Sequence, residues 1–240
     1  VLVQKPSGYY LHVACYLSKD KYSSLSPTDK DIGIDFGSSS KLTLSNGIKI
    51  NFGVHETQRL KQLQRKLAQT RKDSRNRERA RFLLSKEYEK LHNRRKDAQN
   101  KVLAFLKRYR KVVYQNDCVE GWAALFGKQV HASGIGGLKS RLRTSLETSV
   151  AVRMMETTTN ECFACGKKQN LSLLDRMMVC DCGWKCDRDI NAALVILRKG
   201  LSLSLDQAVG LDRSELKPLE REVAARILGS TPYICVSFPQ

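Results

Sequence analysis

The chain has 240 residues, with 42 Lys and Arg against 24 Asp and Glu, a net charge of +18. Its hydrophobic fraction of 41% is enough for a core and excludes a wholly disordered chain, and it has no apolar run of the roughly 18–20 residues that would span a bilayer. The charge excess points to a polyanionic partner, nucleic acid before membrane.

Residues 1–3 and the alternating run 9–17 flank Pro6-Ser7-Gly8 and read as a β-hairpin. The chain opens in what reads as mid-strand, without Met or a signal pattern, so it is expected to be the C-terminal portion of a longer protein. Residues 18–29 are polar and read as a linker. Residues 31–37 form a short strand ending in Gly. Two more strands, 41–45 and 48–52, flank Asn46-Gly47, the strongest two-residue hairpin signal. Three consecutive antiparallel strands are therefore expected over 31–52.

The texture then changes. Residues 55–111 hold 20 Lys and Arg against 6 Asp and Glu, a net of +14, with no Gly or Pro. Leu60, Leu63 and Leu67 have helical spacing, as do Leu84, Tyr88, Leu91, Ala98, Val102 and Phe105. Two helices in a hairpin, with its tip near 70–76, satisfy this pattern. An ordinary solvated helix face mixes signs to gain i,i+4 pairs. The excess of one sign assigns this face to nucleic acid.

A strand is expected at 112–114, closed by Gln115-Asn116-Asp117. The run Gly134-Ile135-Gly136-Gly137 reads as a loop before a helix carrying Leu138, Leu142, Leu146 and Val150, followed by a short strand at 151–155. A helix over 189–198 turns Ile190, Ala193, Leu194 and Leu197 inward, and residues 200–240 read as a tail without chemistry.

Of eight Cys, four sit as Cys162-x-x-Cys165 and Cys180-x-Cys182, with Cys186 just beyond. Paired short spacings in a basic, signal-free chain indicate a metal site in a reducing compartment rather than disulfides. Four thiolates suit tetrahedral Zn²⁺ and leave no open position, so such a zinc is structural. The second spacing is one residue shorter than the common form, and Cys186 is an alternative ligand.

Asp35 ends an apolar strand, Asp117 closes a second, and Asp187 and Asp189 open a helix. Singly, each suits a turn, a loop or an N-cap. Together they are carboxylates delivered from distant segments to element ends, the hard oxygen ligands Mg²⁺ prefers. Two such ions about 4 Å apart activate water and stabilise the leaving oxygen of a phosphodiester. Trp122 and Trp184 serve equally as base-stacking or core residues. His12, His55, His92 and His131 have no metal spacing.

Ile32-Gly33-Ile34-Asp35-Phe36-Gly37, the basic hairpin, the paired Cys and Asp187-Arg188-Asp189-Ile190-Asn191-Ala192-Ala193 follow in order. This combination resembles the TnpB transposon-associated RNA-guided nucleases, relatives of the type V CRISPR effectors, over roughly residues 1–200. The resemblance implies an α/β fold: an RNase H-like (RuvC) mixed sheet with an inserted basic helical hairpin and a small zinc ribbon. It divides the chain into the end of a β-barrel wedge domain and linker (1–29), a RuvC-like nuclease domain (30–156, hairpin at about 55–111), a zinc-ribbon insert that binds target nucleic acid (157–186), a last RuvC helix (187–199) and a C-terminal tail (200–240).

By the same resemblance Asp35 matches the first catalytic aspartate, and Asp189, two residues before Asn191-Ala192-Ala193, the last. At the usual position of the middle Glu this chain has Gln115. In members more similar around Gly121-Trp122 and Phe126-Gly127-Lys128-Gln129, the acid sits two positions later, where Asp117 stands. Asp117 shares strand-face parity with Gln115, and Glu120 is the fallback. The implied cofactors are two Mg²⁺ at Asp35, Asp117 and Asp189 and one Zn²⁺ at Cys162, Cys165, Cys180 and Cys182. The implied partners are guide RNA and target DNA, with no membrane, in a cytoplasmic, nucleoid-associated setting. The implied activity is a Mg²⁺-dependent DNA endonuclease. Two other readings stay open: an RNA-guided DNA-binding protein with a weakened or lost nuclease site, and a plain zinc-ribbon nucleic-acid binder with incidental aspartates.

Overall fold

Ile32 and Ile34 are buried on one face of their strand while Gly33 lies on the other, and this alternation organises the layers. A computed structural model describes residues 1–16, 28–37, 40–118, 121, 124, 127, 134–154, 156–172, 174–209, 218–229 and 234–238. A six-stranded mixed sheet is central. Its strands in chain order are β3 (Thr28–Asp35), β4 (Leu42–Leu44), β5 (Lys49–Phe52), β6 (Tyr109–Gln115), β7 (Ser149–Val152) and β10 (Ile234–Ser237); across the sheet they run β10-β5-β4-β3-β6-β7. β3, β4, β5 and β10 pair antiparallel, whereas β3, β6 and β7 are parallel. Gly47, at φ 87°, makes the expected turn between β4 and β5.

The hairpin β1 (Leu2–Lys5) and β2 (Gly8–Leu11) is also present, its second strand ending at Leu11 rather than 17; of the linker expected at 18–29, residues 18–27 lie outside the described residues and 28–29 belong to β3. The hairpin tip docks on the long helix, where Glu89 accepts from the Ser7 amide at 2.9 Å and the Ser7 hydroxyl at 2.6 Å.

The basic segment forms α1 (Gln58–Gln69) and α2 (Arg75–Leu106). Thr57 caps α1 by accepting from the Leu60 amide, and Ser74 caps α2 by accepting from the Arg77 amide. Arg77 Nη1 reaches back to the carbonyls of Leu67 and Thr70, at 3.0 and 2.9 Å, and ties the two helices at the tip. Leu60, Leu63 and Leu84 are buried between them, whereas Tyr88 is half-exposed and accepts from Gln64. The second helix stops at Leu106, and β6 starts at Tyr109, three residues before Val112.

One sheet face packs Ile32, Ile34, Val112 and Tyr114 against Ala98, Val102, Phe105 and Leu106 of α2, and against Leu138 and Leu142 of α3 (Ile135–Ser145). α4 (Arg188–Gly200) crosses the other face. Gly33 permits its approach: a Cβ there would lie 2.1 Å from the Ala193 carbonyl oxygen. Val113 and Val152 meet Ile196 and Leu197 on this side.

Three expectations are corrected. Gly136 and Gly137 lie inside α3 rather than in a loop; a Cβ on Gly137 would stand 2.7 Å from Gln99 Nε2, so close packing on α2 explains the glycine. Val150 belongs to β7, which starts at Ser149. Residues 200–240 are not simply a tail: they contain α5 (Leu205–Val209), α6 (Pro218–Leu228) and β10. Ala224, Leu228 and Ile234 join the main core, and β10 pairs with β5 over four residues. No helix among the described residues is long and apolar enough to cross a membrane.

Candidate functional site

The four cysteines meet. The sulfurs of Cys162, Cys165, Cys180 and Cys182 all lie within 4.8 Å of one another. Cys162 and Cys182 are 3.7 Å apart, and Cys165 and Cys180 are 3.5 Å apart. A tetrahedral ion with Zn–S bonds of about 2.3 Å sets its sulfurs about 3.8 Å apart, whereas a disulfide needs about 2.05 Å. The donor set therefore fits zinc. Gly166 and Gly183, at φ 73° and 87°, turn the chain after each Cys pair. The hairpin β8 (Met177–Val179) and β9 (Lys185–Asp187) frames the second pair. Cys186 is buried in β9 opposite Met178, outside the cluster. Burial pushes the Cys162 thiol up to about 12, whereas the Cys182 backbone amide draws Cys180 down to about 7.

The ribbon is bolted to α4 through Asn191, which is fully buried. Its Oδ1 accepts from the Phe163 amide and from Trp184 Nε1, each at 3.0 Å, and its Nδ2 donates to the Glu161 carbonyl at 2.7 Å. Arg198 donates to the Phe163 carbonyl at 2.7 Å and pairs with the Glu161 carboxylate, which Lys199 also meets at 2.8 Å. Of these, Trp184 stands out in the sequence, and it is part of this joint. Asn191, Arg198 and Glu161 do not stand out as a set, because their partners lie about 30 residues apart in the chain.

The carboxylates gather at the C-terminal end of the parallel strands. Asp35 is the last residue of β3, and Asp117 follows two residues after the adjacent β6. Asp189 lies in the first turn of α4, whose packing on Gly33 brings its start to the end of β3. Asp187 caps α4, its Oδ1 accepting from the amides of Asp189 (3.0 Å) and Ile190 (3.2 Å), while Lys49 of β5 holds its other oxygen at 2.7 Å. The N-cap was legible in sequence; Lys49 was not.

Burial, then the charges of Asp189 and Asp117, push Asp35 up to about 7, opposed by Arg188 and Lys139. Burial also raises Asp117, and Lys139 counters it. Among the described residues, neither the Asp35 nor the Asp189 carboxylate has a hydrogen-bond or ion-pair partner. Acceptor-only oxygens whose charges repel one another, two of them unpartnered, fit a hard divalent cation.

Gln115 is turned away from this corner. It is buried, donates to the carbonyls of Met154 (3.3 Å) and Glu156 (2.9 Å), and accepts from Thr158 at 2.7 Å. Glu120 and Trp122 lie outside the described residues. Sequence reading missed Lys139, although it stands one helical turn after Ile135 on the inward side of α3.

Two family models match this chain: OrfB_IS605, described as "Probable transposase", over residues 12–116, and "Cas12f1-like, TNB domain" over residues 146–196. A Streptomyces pristinaespiralis protein named "Putative RNA-guided DNA endonuclease" is 32% identical over 200 residues, covering 78% of this chain and 50% of that protein. The chain is TnpB-like. It spans about half the length of that curated relative. In this TnpB-like chain Asp35 falls within the first family match and Asp189 within the second, while Asp117 and all of α3 fall between them.

Proposed function

We propose that this TnpB-like chain carries the nuclease portion of an RNA-guided, Mg²⁺-dependent DNA endonuclease, with its mixed sheet in the RNase H-like (RuvC) arrangement. The observation that carries this reading is Asp35, buried at the end of β3, with the charges of Asp189 and Asp117 both acting on it. Residues 28–156 and 187–240 would form the nuclease domain, with residues 157–186 as a zinc ribbon that presents nucleic acid.

Bound Mg²⁺, as two ions, would supply an activated water and stabilise the leaving oxygen of the phosphodiester. Asp35, Asp117 and Asp189 would hold the ions. Asp187 and Lys49 orient the first turn of α4 and with it Asp189. Guide pairing would read the target sequence, while the basic face of α1 and α2 contacts phosphate.

The test begins with the chain and the RNA that co-purifies with it. That RNA is sequenced, and plasmid and single-stranded DNA carrying its complement are incubated with and without Mg²⁺. Mg²⁺-dependent cleavage that disappears in Asp35→Ala is the expected result; cleavage that survives Asp35→Ala removes the site assignment. The Gln115 side chain, engaged elsewhere, favours a second reading, an RNA-guided DNA binder with a weakened or lost nuclease site. Stable target binding without cleavage in the same assay would select it.

A further inference from the structure

Lys139 is a cation inside the acidic corner. It projects from α3 with only 9% of its side chain exposed. Its ammonium lies 3.3 Å from Asp117 Oδ2 and 3.2 Å from the Asp117 carbonyl oxygen, and sits 5.0 Å from the centre of the Phe36 ring. Its charge also acts on Asp35. A buried ammonium is held in place only by good partners, because removing it from water is costly. Here the carboxylate it pairs with is a residue the nuclease reading assigns to metal.

The other cation acting on Asp35 is differently engaged. Arg188 donates from Nη1 to the carbonyls of Ser172 (2.6 Å) and Asp175 (3.3 Å) in the ribbon. Lys139 therefore makes the direct contact, and it does so with the member of the three carboxylates that is ion-paired among the described residues. An arriving cation would have to draw Asp117 out of its pair.

We propose that Lys139 is a built-in counter-ion of the carboxylate corner: it holds Asp117 in the metal-free protein and competes with a divalent cation for that carboxylate. The inference rests on the reading of Asp35, Asp117 and Asp189 as a cation site. Its consequence is a site that binds divalent ions more weakly than three free carboxylates would.

The experiment titrates Mn²⁺ into the full chain and follows free Mn²⁺ by electron paramagnetic resonance. Lys139→Gln removes the competing charge and should tighten binding by about tenfold, equivalent to about 1.4 kcal/mol. Lys139→Arg keeps the charge and should bind like the unchanged chain. A purely structural lysine would lower the melting temperature of Lys139→Gln without tightening Mn²⁺ binding, and unchanged affinity overturns the proposal. Asp35→Asn separates the counter-ion from the metal site beneath it. Binding that weakens in Asp35→Asn but ignores Lys139→Gln overturns the counter-ion alone. Binding indifferent to Asp35→Asn overturns the metal-site reading and the counter-ion with it. A second readout needs no variant: acylation of Lys139 by an amine-reactive reagent, measured by mass spectrometry, should rise several-fold on adding Mn²⁺. No rise overturns the proposal even if Lys139→Gln does not fold.

Discussion

Asp35 carries the least comfortable charge in the molecule. Its carboxyl releases a proton near 3.8 when unfolded and at about 7 in the fold, because burial and then Asp189 and Asp117 oppose the charged form. Between those values the folded chain binds more protons than the unfolded one. Stability is therefore highest below about pH 4 for this group and falls as pH rises through 7. Asp35→Asn removes the charge without changing the shape. Without added Mg²⁺ it should raise the melting temperature at pH 8 by about 3–8 °C, taking about 2–4 °C per kcal/mol for a chain of this size. At about pH 3 the two proteins should melt within about 2 °C of each other, since Asp35 is then neutral in the unfolded chain as well as in the fold. Thermal melts at the two pH values check this, and equal melting at pH 8 would contradict the burial of a charge at this position. The places of Asp35 at a strand end and Asp189 at a helix start were legible because each sits in a short local motif. The pairing of Asp117 with Lys139 was not, since the two are 22 residues apart and meet only through the fold.

At the scale of elements, α4 joins three parts: Asp189 near its start, the sheet under its middle and the ribbon along its side. Asn191 completes the joint by satisfying two buried donors and one carbonyl. Asn191→Ala removes these three hydrogen bonds at a fully buried position. It should lower unfolding free energy by about 2–4 kcal/mol, read as a lower urea midpoint. In chain loaded with zinc it should also speed release of that zinc to a chelator, because the Phe163 amide lies between Cys162 and Cys165 of the cysteine cluster. An unchanged midpoint would mean that the ribbon is anchored without Asn191. The zinc cluster, the N-cap at Asp187 and the helical hairpin were all readable, since each is written in consecutive residues. The course of α3 was not. Glycine weakens helices in general, yet at Gly137 a Cβ would stand 2.7 Å from Gln99 Nε2, so a larger residue would have to displace the Gln99 amide.

At the scale of the whole molecule, two features stand outside the carboxylate corner. β10 returns from the end of the chain to cover β5, a pairing that no local pattern announces and that the reading of 200–240 as a tail therefore missed. The other feature is charge. Residues 55–111 carry +14 of the +18, and the hairpin tip exposes Arg71, Lys72 and Arg75 to solvent. Two roles compete for this charge: solvation of a helical pair, or binding of a phosphate backbone. They differ in salt dependence. Each phosphate deprived of its protein cation flattens the dependence of log affinity on log salt by about 0.9 for duplex and about 0.7 for single strands. Replacing Arg71, Lys72 and Arg75 together by Ala should therefore weaken binding across unrelated sequences and reduce the slope by about 2–3. Fluorescence anisotropy between about 50 and 200 mM salt, with the same labelled RNA or DNA, makes the measurement. The melting temperature should hold, because the described hydrogen bonds tying the tip run through Arg77 and the Ser74 cap rather than these side chains. A slope that stays the same would assign the tip to solvent and move the nucleic-acid path to another part of the basic surface.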